Sequence, residues 1–183
     1  MKIPRIINVS FKALIACSIL YGALLTPLFA QSNSPAEILL PQEQKHLRNV
    51  RQLTFGGQNA EAYFSSDDKQ LIFQHQGGNV ACDQIYSILV DPPDGKPPVP
   101  KLLSTGKGRT TCSYFFPSGD KILFSSTHAA SPDCPPKPDY SRGYVWPIYN
   151  TYQIYTANQD GSGLKQLTSA PGYNAEATIT RDG

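Results

Sequence analysis

The sequence contains none of the short motifs that mark the common enzyme classes. A Gly-x-Ser-x-Gly elbow, a His-Glu-x-x-His zinc motif, a P-loop and a Rossmann glycine pattern are all missing. Cys-x-x-Cys and His-x-x-x-His spacings are missing too, so no pattern predicts a metal site or a cofactor. The sequence offers no catalytic residue, and this absence favours a non-catalytic role for the chain.

The chain is also poor in charge, since Asp, Glu, Lys and Arg make up only 16% of its 183 residues. The formal net charge is +2, and three of the basic residues, Lys2, Arg5 and Lys12, lie ahead of an apolar stretch at 13–30. Without residues 1–30 the net charge becomes 2 − 3 = −1. No basic patch remains, so nucleic acid is not an expected partner.

The apolar stretch at 13–30 is typical of a secretory signal peptide. We predict a signal peptide at 1–30, cleavage after Ala30, and export to the periplasm or the extracellular space, with no membrane span after cleavage. An uncleaved membrane anchor is the alternative, and Pro27 and the short apolar run favour cleavage. Residues 31–49 are polar with a short apolar patch, and we predict a linker or an N-terminal arm there.

Turn and strand formers are abundant, with 14 Gly, 16 Pro, 10 Tyr and 8 Phe, which favours an all-β fold. Three landmarks recur in a fixed order: a turn followed by an apolar pair, then Gln-Ile-Tyr, then Leu-Thr or Leu-Ser. This order predicts units of four short strands joined by turns. A β-sandwich would explain short strands but not the repeated order. The Leu-Thr or Leu-Ser pairs lie at 53–54, 103–104 and 167–168.

Three segments, QLT…NAEATITRDG, SYFFPSGDKILFSS and QIYTANQDGSGLKQLT, resemble repeats of the TolB-like, WD-repeat-like β-propellers of exported bacterial proteins. The resemblance covers about residues 50–183 and implies a β-propeller of four-stranded blades. It implies blade landmarks at 50–101, 102–165 and 166–183, which is an incomplete propeller of about two blades and the start of a third. TolB itself carries an α/β domain before its propeller, for which residues 31–49 leave no room, so a role in the Tol–Pal system does not transfer.

Asn-Ala-Glu-Ala occurs twice, at 59–62 and 174–177. We predict that both copies enter the inner strands of their blades, with Thr-Thr-Cys-Ser at 110–113 as the middle copy. The two glutamates would then either cap strand ends or line a polar funnel for a cation or a peptide amine. In a meander the following residues would share one face: Glu61, Cys112 and Glu176 on inner strands, His75 and Cys82 in the first loop, and His128 and Cys134 in the second loop.

Three cysteines, Cys82, Cys112 and Cys134, remain after removal of the signal peptide. In an oxidising compartment a disulfide is favoured over a zinc site. We predict that Cys112 pairs with Cys82 or with Cys134, and that His75 and His128 are ordinary loop residues.

The second loop is long: Phe124 to Gln153 spans 29 positions, against 11 from Phe73 to Gln84. Its extra residues at 133–149 are rich in Pro and aromatic side chains, which suit recognition. We predict binding by Glu61, Glu176, Tyr144, Trp146 and Tyr149, with a packing plug as the alternative. The expected function is a non-catalytic scaffold that binds an envelope protein, peptide or glycan. The alternative that the resemblance implies is a propeller that gates a peptidase or hydrolase domain beyond residue 183.

Overall fold

The computed structural model describes residues 39–183, and it divides into two compact units at Val50 and Arg51. The predicted signal peptide and most of the predicted arm lie outside the described residues. In the first unit, residues 39–50 hold one 3-10 turn, Glu43–Lys45, where the Glu43 carboxylate accepts the Leu40 N–H at 2.8 Å. Within residues 39–183 there is no helix with the length and hydrophobicity that a membrane crossing requires.

The second unit consists of two four-stranded antiparallel sheets in which the spatial order of the strands follows their order along the chain. We call these sheets blade 1 and blade 2. The all-β fold and the four-stranded meander are therefore confirmed. Blade 1 contains β1 (Gln58–Phe64), β2 (Gln70–Gly77), β3 (Val80–Leu89) and β4 (Lys101–Leu102), and blade 2 contains β5 (Thr110–Phe115), β6 (Lys121–Ser126), β7 (Gln153–Asn158) and β8 (Lys165–Gln166).

An apolar core joins the two blades face to face. Because side chains alternate between the faces of a strand, Phe124 of β6 and its register partner Tyr155 of β7 lie on the same face, with ring centroids 6.0 Å apart. Phe124 is 1% exposed, and burial of such a side chain contributes about 1.5–3 kcal/mol. The core consists of Ile72, Ile85 and Leu103 from the first repeat and Phe115, Ile122, Phe124, Tyr155 and Ala157 from the second.

The turns between the first two strands of each blade keep one geometry despite their different sequences. In blade 1 the Asp68 N–H donates to the Ser65 carbonyl at 3.0 Å, and in blade 2 the Gly119 N–H donates to the Phe116 carbonyl at 2.9 Å. Asp68 and Gly119 both have positive φ angles, 58° and 77°. Asp and Gly both tolerate this conformation, so the departure from Ser-Pro-Asp-Gly leaves the turns intact.

The Gln-Ile-Tyr and Leu-Ser landmarks bond to each other in blade 1. The Ser104 hydroxyl donates to Gln84 Oε1 at 2.7 Å and accepts the Ile85 N–H at 3.0 Å. Gln84 Nε2 donates to the Gly108 carbonyl at 2.7 Å. Gln84 and Ser104 are both buried, so this network satisfies polar groups that water does not reach.

Blade 2 repeats this network, which we call the Gln–hydroxyl clamp. The Thr168 hydroxyl donates to Gln153 Oε1 at 2.7 Å and accepts the Ile154 N–H at 2.9 Å, and Gln153 Nε2 donates to the Ala170 carbonyl at 3.0 Å. A hydroxyl that both donates and accepts is needed at the second landmark, which explains why it is Leu-Thr or Leu-Ser.

Three strand predictions differ from the structure. His75 lies in β2 and Cys82 lies in β3, not in a loop, because Gly77 pairs with Val80 and only Gly78 and Asn79 form the turn. The Leu-Thr landmark at 53–54 and the second Asn-Ala-Glu-Ala copy at 174–177, which were both predicted to belong to strands, form no strand. Neither segment has a ladder with a second strand within residues 39–183, and a β-strand needs such a partner.

Candidate functional site

The inner strand of each blade, β1 or β5, contains one bulge. These bulges set the direction of the Glu61 and Cys112 side chains. In β1 the register shifts between Ala60 and Tyr63, and in β5 it shifts between Thr111 and Tyr114. The residue that enters the bulge, Glu61 in β1, has a φ of 50°. A non-glycine residue with positive φ is uncommon, and bulges turn a side chain away from the regular alternation of a strand.

The same left-handed conformation occurs at Cys112, with φ 50°, and at Glu176, with φ 62°. The sequence predicted that these residues and Glu61 occupy equivalent places, and the backbone conformation supports this equivalence even though 174–178 form no strand. Gln74 of blade 1 holds the bulge of blade 2, since its Oε1 accepts the Cys112 N–H at 2.9 Å.

The Cys112 thiol is buried among acidic neighbours. The pKa of Cys112 is raised to about 11, mainly by burial and in smaller part by the nearby Glu61 and Glu176 carboxylates, while the bond with Thr111 acts to lower it. The Thr111 hydroxyl and the Cys112 sulfur are 3.1 Å apart. Cys112 therefore stays protonated at neutral pH, and a neutral thiol is a weak nucleophile and metal ligand.

Cys82 and Cys134 form a disulfide with their Cα atoms 5.9 Å apart, and Cys112 is a free, buried cysteine. The prediction that Cys112 pairs with one of the other two is wrong. Cys82 lies in β3 and not in a loop. The insert reaches β3 and brings Cys134 to Cys82. Cys112 instead faces Thr111 and the acidic residues at the inner-strand bulges.

The insert between β6 and β7, residues 127–152, starts in blade 2 and is bonded to blade 1 through this disulfide. It covers a cleft of about 530 Å³, which we call the aromatic cleft. The insert forms one wall of the aromatic cleft, and the other wall is formed by β1, β2 and the first residues of β3 and β5. The cleft is lined by Gln58, Ala60, Glu61, Gln74, Gln76, Asp83, Arg109, Thr110, Thr111, Lys137, Pro138, Tyr140, Tyr144, Trp146, Pro147, Tyr149, Tyr152 and Tyr173.

Four of the five predicted binding residues, Glu61, Tyr144, Trp146 and Tyr149, thus line one cleft. Glu176 does not line it, but its Oε1 accepts the hydroxyl of Tyr173, which does, at 3.1 Å. Burial and this bond to Glu176 raise the pKa of Tyr173 to about 12, so the hydroxyl remains a donor. Glu176 therefore orients the side chain of Tyr173 in the wall of the cleft.

Tyr152 connects the insert to the wall formed by Tyr173. Its ring lies 6.2 Å from the Tyr149 ring and 5.5 Å from the Tyr173 ring, in an edge-on arrangement with the latter. Tyr149 donates its hydroxyl to the Pro136 carbonyl at 2.7 Å, which fixes the ring against the insert backbone. Burial raises the pKa of Tyr152. The ring contacts and the hydrogen bond hold the side chains of Tyr149, Tyr152 and Tyr173 in fixed positions.

His75 and His128 belong to the scaffold. His75 Nδ1 lies 2.8 Å from Asn59 Oδ1, and its ring contacts the Tyr86 ring edge-on at 5.2 Å. His128 Nδ1 lies 2.8 Å from the Ser126 hydroxyl, and burial together with Lys107 lowers the pKa of His128. Within residues 39–183 no three His, Cys, Asp or Glu side chains are grouped so that they could share a metal ion.

Sequence reasoning missed the polar wall of the cleft, formed by Gln58, Gln74 and Gln76, and the ion pair between Asp83 and Arg109. The signal was present in part, because alternate residues of a strand share a face and Gln74 and Gln76 are alternate residues of β2.

No protein-family model matches the chain. No curated protein matches it either. Among solved structures, the chain is similar to one described as a "putative TolB" from Agrobacterium tumefaciens, with 21% sequence identity and a TM-score of 0.47. The likeness covers 67% of this chain and 38% of that chain, so the part compared is well under half of that protein's length.

Proposed function

We propose that residues 51–183 belong to an exported, non-catalytic propeller scaffold of the TolB-like kind, and that its aromatic cleft binds an envelope protein, peptide or glycan. The observation that carries the proposal is the convergence of Glu61 with Tyr144, Trp146 and Tyr149 around one cleft of about 530 Å³. Ligand sites are typically clefts of about 300–1,000 Å³ with aromatic walls and a few placed polar groups.

The anchoring of the insert supports a binding role over a packing plug. A plug would bury its aromatic side chains, but Tyr144 is 80% exposed and Trp146 is 54% exposed. A disulfide and the Tyr149–Pro136 hydrogen bond hold the insert in place while these rings stay accessible. The disulfide also supports export, because such bonds persist in oxidising compartments.

Replacement of Trp146 tests the proposal. In the full chain, Trp146→Ala should weaken retention of an envelope component by about thirtyfold, the scale of an aromatic hot spot, and leave the free energy of unfolding near the wild-type value. Phe64→Ala is the matched control, because Phe64 is aromatic, 58% exposed and outside the cleft lining.

Retention is measured on immobilised chain exposed to solubilised envelope extract, and unfolding is measured on the same preparation. A plug would give the opposite result, in which Trp146→Ala lowers stability and the remaining folded fraction binds as tightly as the wild type.

A further inference from the structure

The exposed rings of the aromatic cleft form an apolar platform. Tyr140 and Tyr144 stack with centroids 6.5 Å apart, and Trp146 of the same insert lines the same cleft. Flat rings of this kind stack on ligands that have a flat apolar face. The pyranose ring has such faces, because the axial C–H groups on alternate ring carbons point to the same side, and amphipathic rings give large contact area for little entropy loss.

The opposite wall provides amide groups in fixed orientations. Gln74, which lines the cleft, accepts the Cys112 N–H at Oε1 at 2.9 Å, which leaves its amide N–H₂ as a donor. Gln76 Nε2 donates to the Ala81 carbonyl at 2.9 Å, which leaves the Gln76 carbonyl as an acceptor. A donor and an acceptor on alternate residues of β2 suit sugar hydroxyls, since each hydroxyl both donates and accepts.

The charges of the cleft lining cancel. Glu61 and Asp83 are acidic, and Arg109 and Lys137 are basic, so the formal sum is 2 − 2 = 0. Asp83 and Arg109 are also paired, with Oδ2 and the guanidinium nitrogen 3.6 Å apart. A site for a polyanion or for a strongly cationic peptide would present an excess of one sign. The lining therefore favours a neutral ligand.

We propose that the aromatic cleft binds a neutral oligosaccharide. Its sugar rings stack on Trp146 and the neighbouring tyrosines, and its hydroxyls bond to Gln74, Gln76 and the carboxylate of Glu61. This inference rests on the proposed function and names the ligand class for that site. Peptides also use aromatic grooves, but the paired charges and the two oriented amides match hydroxyls better than they match a peptide terminus.

Trp146 is the only tryptophan of the chain, so its fluorescence reports on this site alone. The full chain is titrated with neutral oligosaccharides, namely chito-, cello- and malto-oligomers, and in parallel with a neutral peptide pool and a polyanionic glycan. The expected result is a saturable change in Trp146 emission with at least one neutral sugar, confirmed by calorimetry. Its affinity should be insensitive to salt, because no net charge is involved.

Three variants sharpen the test. Trp146→Ala should abolish detectable heat, Gln76→Ala should weaken binding by about tenfold, and Phe64→Ala should bind as the wild type does. The Gln76 bond to Ala81 is exposed, so Gln76→Ala should fold normally.

A response to the peptide pool with none to any neutral sugar would overturn the inference and leave the proposed function standing. Binding of the polyanion with a steep salt dependence would overturn it in the same way. Absence of any response to sugars, peptides or envelope extract would overturn both proposals.

Discussion

Blade 1 and blade 2 are built alike and differ in one connection. Both are four-stranded meanders, both carry a left-handed residue at an inner-strand bulge, and both close with a Gln–hydroxyl clamp. Blade 1 joins its second and third strands through Gly78 and Asn79, whereas blade 2 uses residues 127–152. The comparison teaches that the Gln–hydroxyl clamp, which satisfies backbone groups, recurs in both blades, whereas the insert that covers the cleft occurs in one.

The strongest test of this difference removes the disulfide. Cys82→Ser combined with Cys134→Ser should lower the free energy of unfolding by about 4 kcal/mol, because the bond closes a loop between residues 52 positions apart. Denaturant titration of the full chain measures the effect, with Cys112→Ser as the control that keeps the bond. An unchanged unfolding free energy in the double variant would mean that the insert is held by its packing alone.

The clamps should differ in strength although they share one design. Gln84→Ala should cost about 3 kcal/mol, because Gln84 is 2% exposed and its loss leaves the Ser104 hydroxyl, the Gly106 N–H and the Gly108 carbonyl without their partner. Gln153→Ala should cost about 1 kcal/mol, since Gln153 is only half-buried and water can replace it.

Chemical denaturation of both variants measures the difference between the two clamps. Equal costs would show that burial does not govern the contribution of the clamp.

Substitution of the left-handed residue in the β1 bulge should change the free energy of unfolding by a smaller amount. Glu61→Gly should raise the free energy of unfolding by about 0.5–1 kcal/mol, because glycine adopts the 50° φ without strain. Ala62→Gly, one residue along β1, should instead lower it by about 0.5–1 kcal/mol, since Ala62 has no positive φ and glycine gains freedom only in the unfolded chain. If both substitutions destabilise, the Glu61 carboxylate contributes more than the strain costs.

The smallest expected effect is a loss of stability at alkaline pH caused by titration of Cys112, the residue that takes the place of Glu61 in the bulge of blade 2. This effect is absent at neutral pH. The pKa of Cys112 is raised from 9.0 to about 11, so the folded state favours the neutral thiol. The contribution of the neutral thiol to the free energy of unfolding is fully present below pH 9 and is lost as the pH rises from 9 to 11. The denaturation midpoint of the wild type should therefore fall over this range more than that of Cys112→Ser.

Tyr114 and Tyr173, whose pKa values rise to about 12, add to the alkaline loss of stability in both proteins. The charge of the Cys112 thiolate contributes a small part of both tyrosine shifts, so the difference between the two proteins reports the thiol together with its effect on these tyrosines. Parallel midpoints for the wild type and Cys112→Ser would show that the thiol titrates no differently once the chain unfolds.

The meander was predictable because its landmarks have local causes. Leu103 and Leu167 occupy equivalent positions, since each N–H donates to the carbonyl of the Ile in Gln-Ile-Tyr, at 2.8 Å in both blades. The long insert was predictable from spacing alone, and so was the gathering of Glu61 with the aromatic side chains, because alternate strands of a meander reverse direction.

The remaining features depend on contacts that no local pattern encodes. Three cysteines allow several pairings, and the path of the insert across to Cys82 selects one. The left-handed conformation of Glu61 was not predictable, since glutamate rarely adopts it and the bulge follows from the register with β2. The sequence predicts a loop at His75 and Cys82, whereas β2 and β3 extend up to a turn of two residues and Gly77 pairs with Val80.

The Cys82–Cys134 bond also has a mechanical consequence, because it ties a segment of blade 2 to a strand of blade 1. A force that peels one blade from the other would load the apolar core between the sheets first, and the covalent bond once the insert between Ser126 and Cys134 is extended. The bond would therefore limit how far the blades separate after the core has ruptured. In an oxidising compartment the two blades should stay tethered under tension by the disulfide and by the main chain, and in a reducing one by the main chain alone.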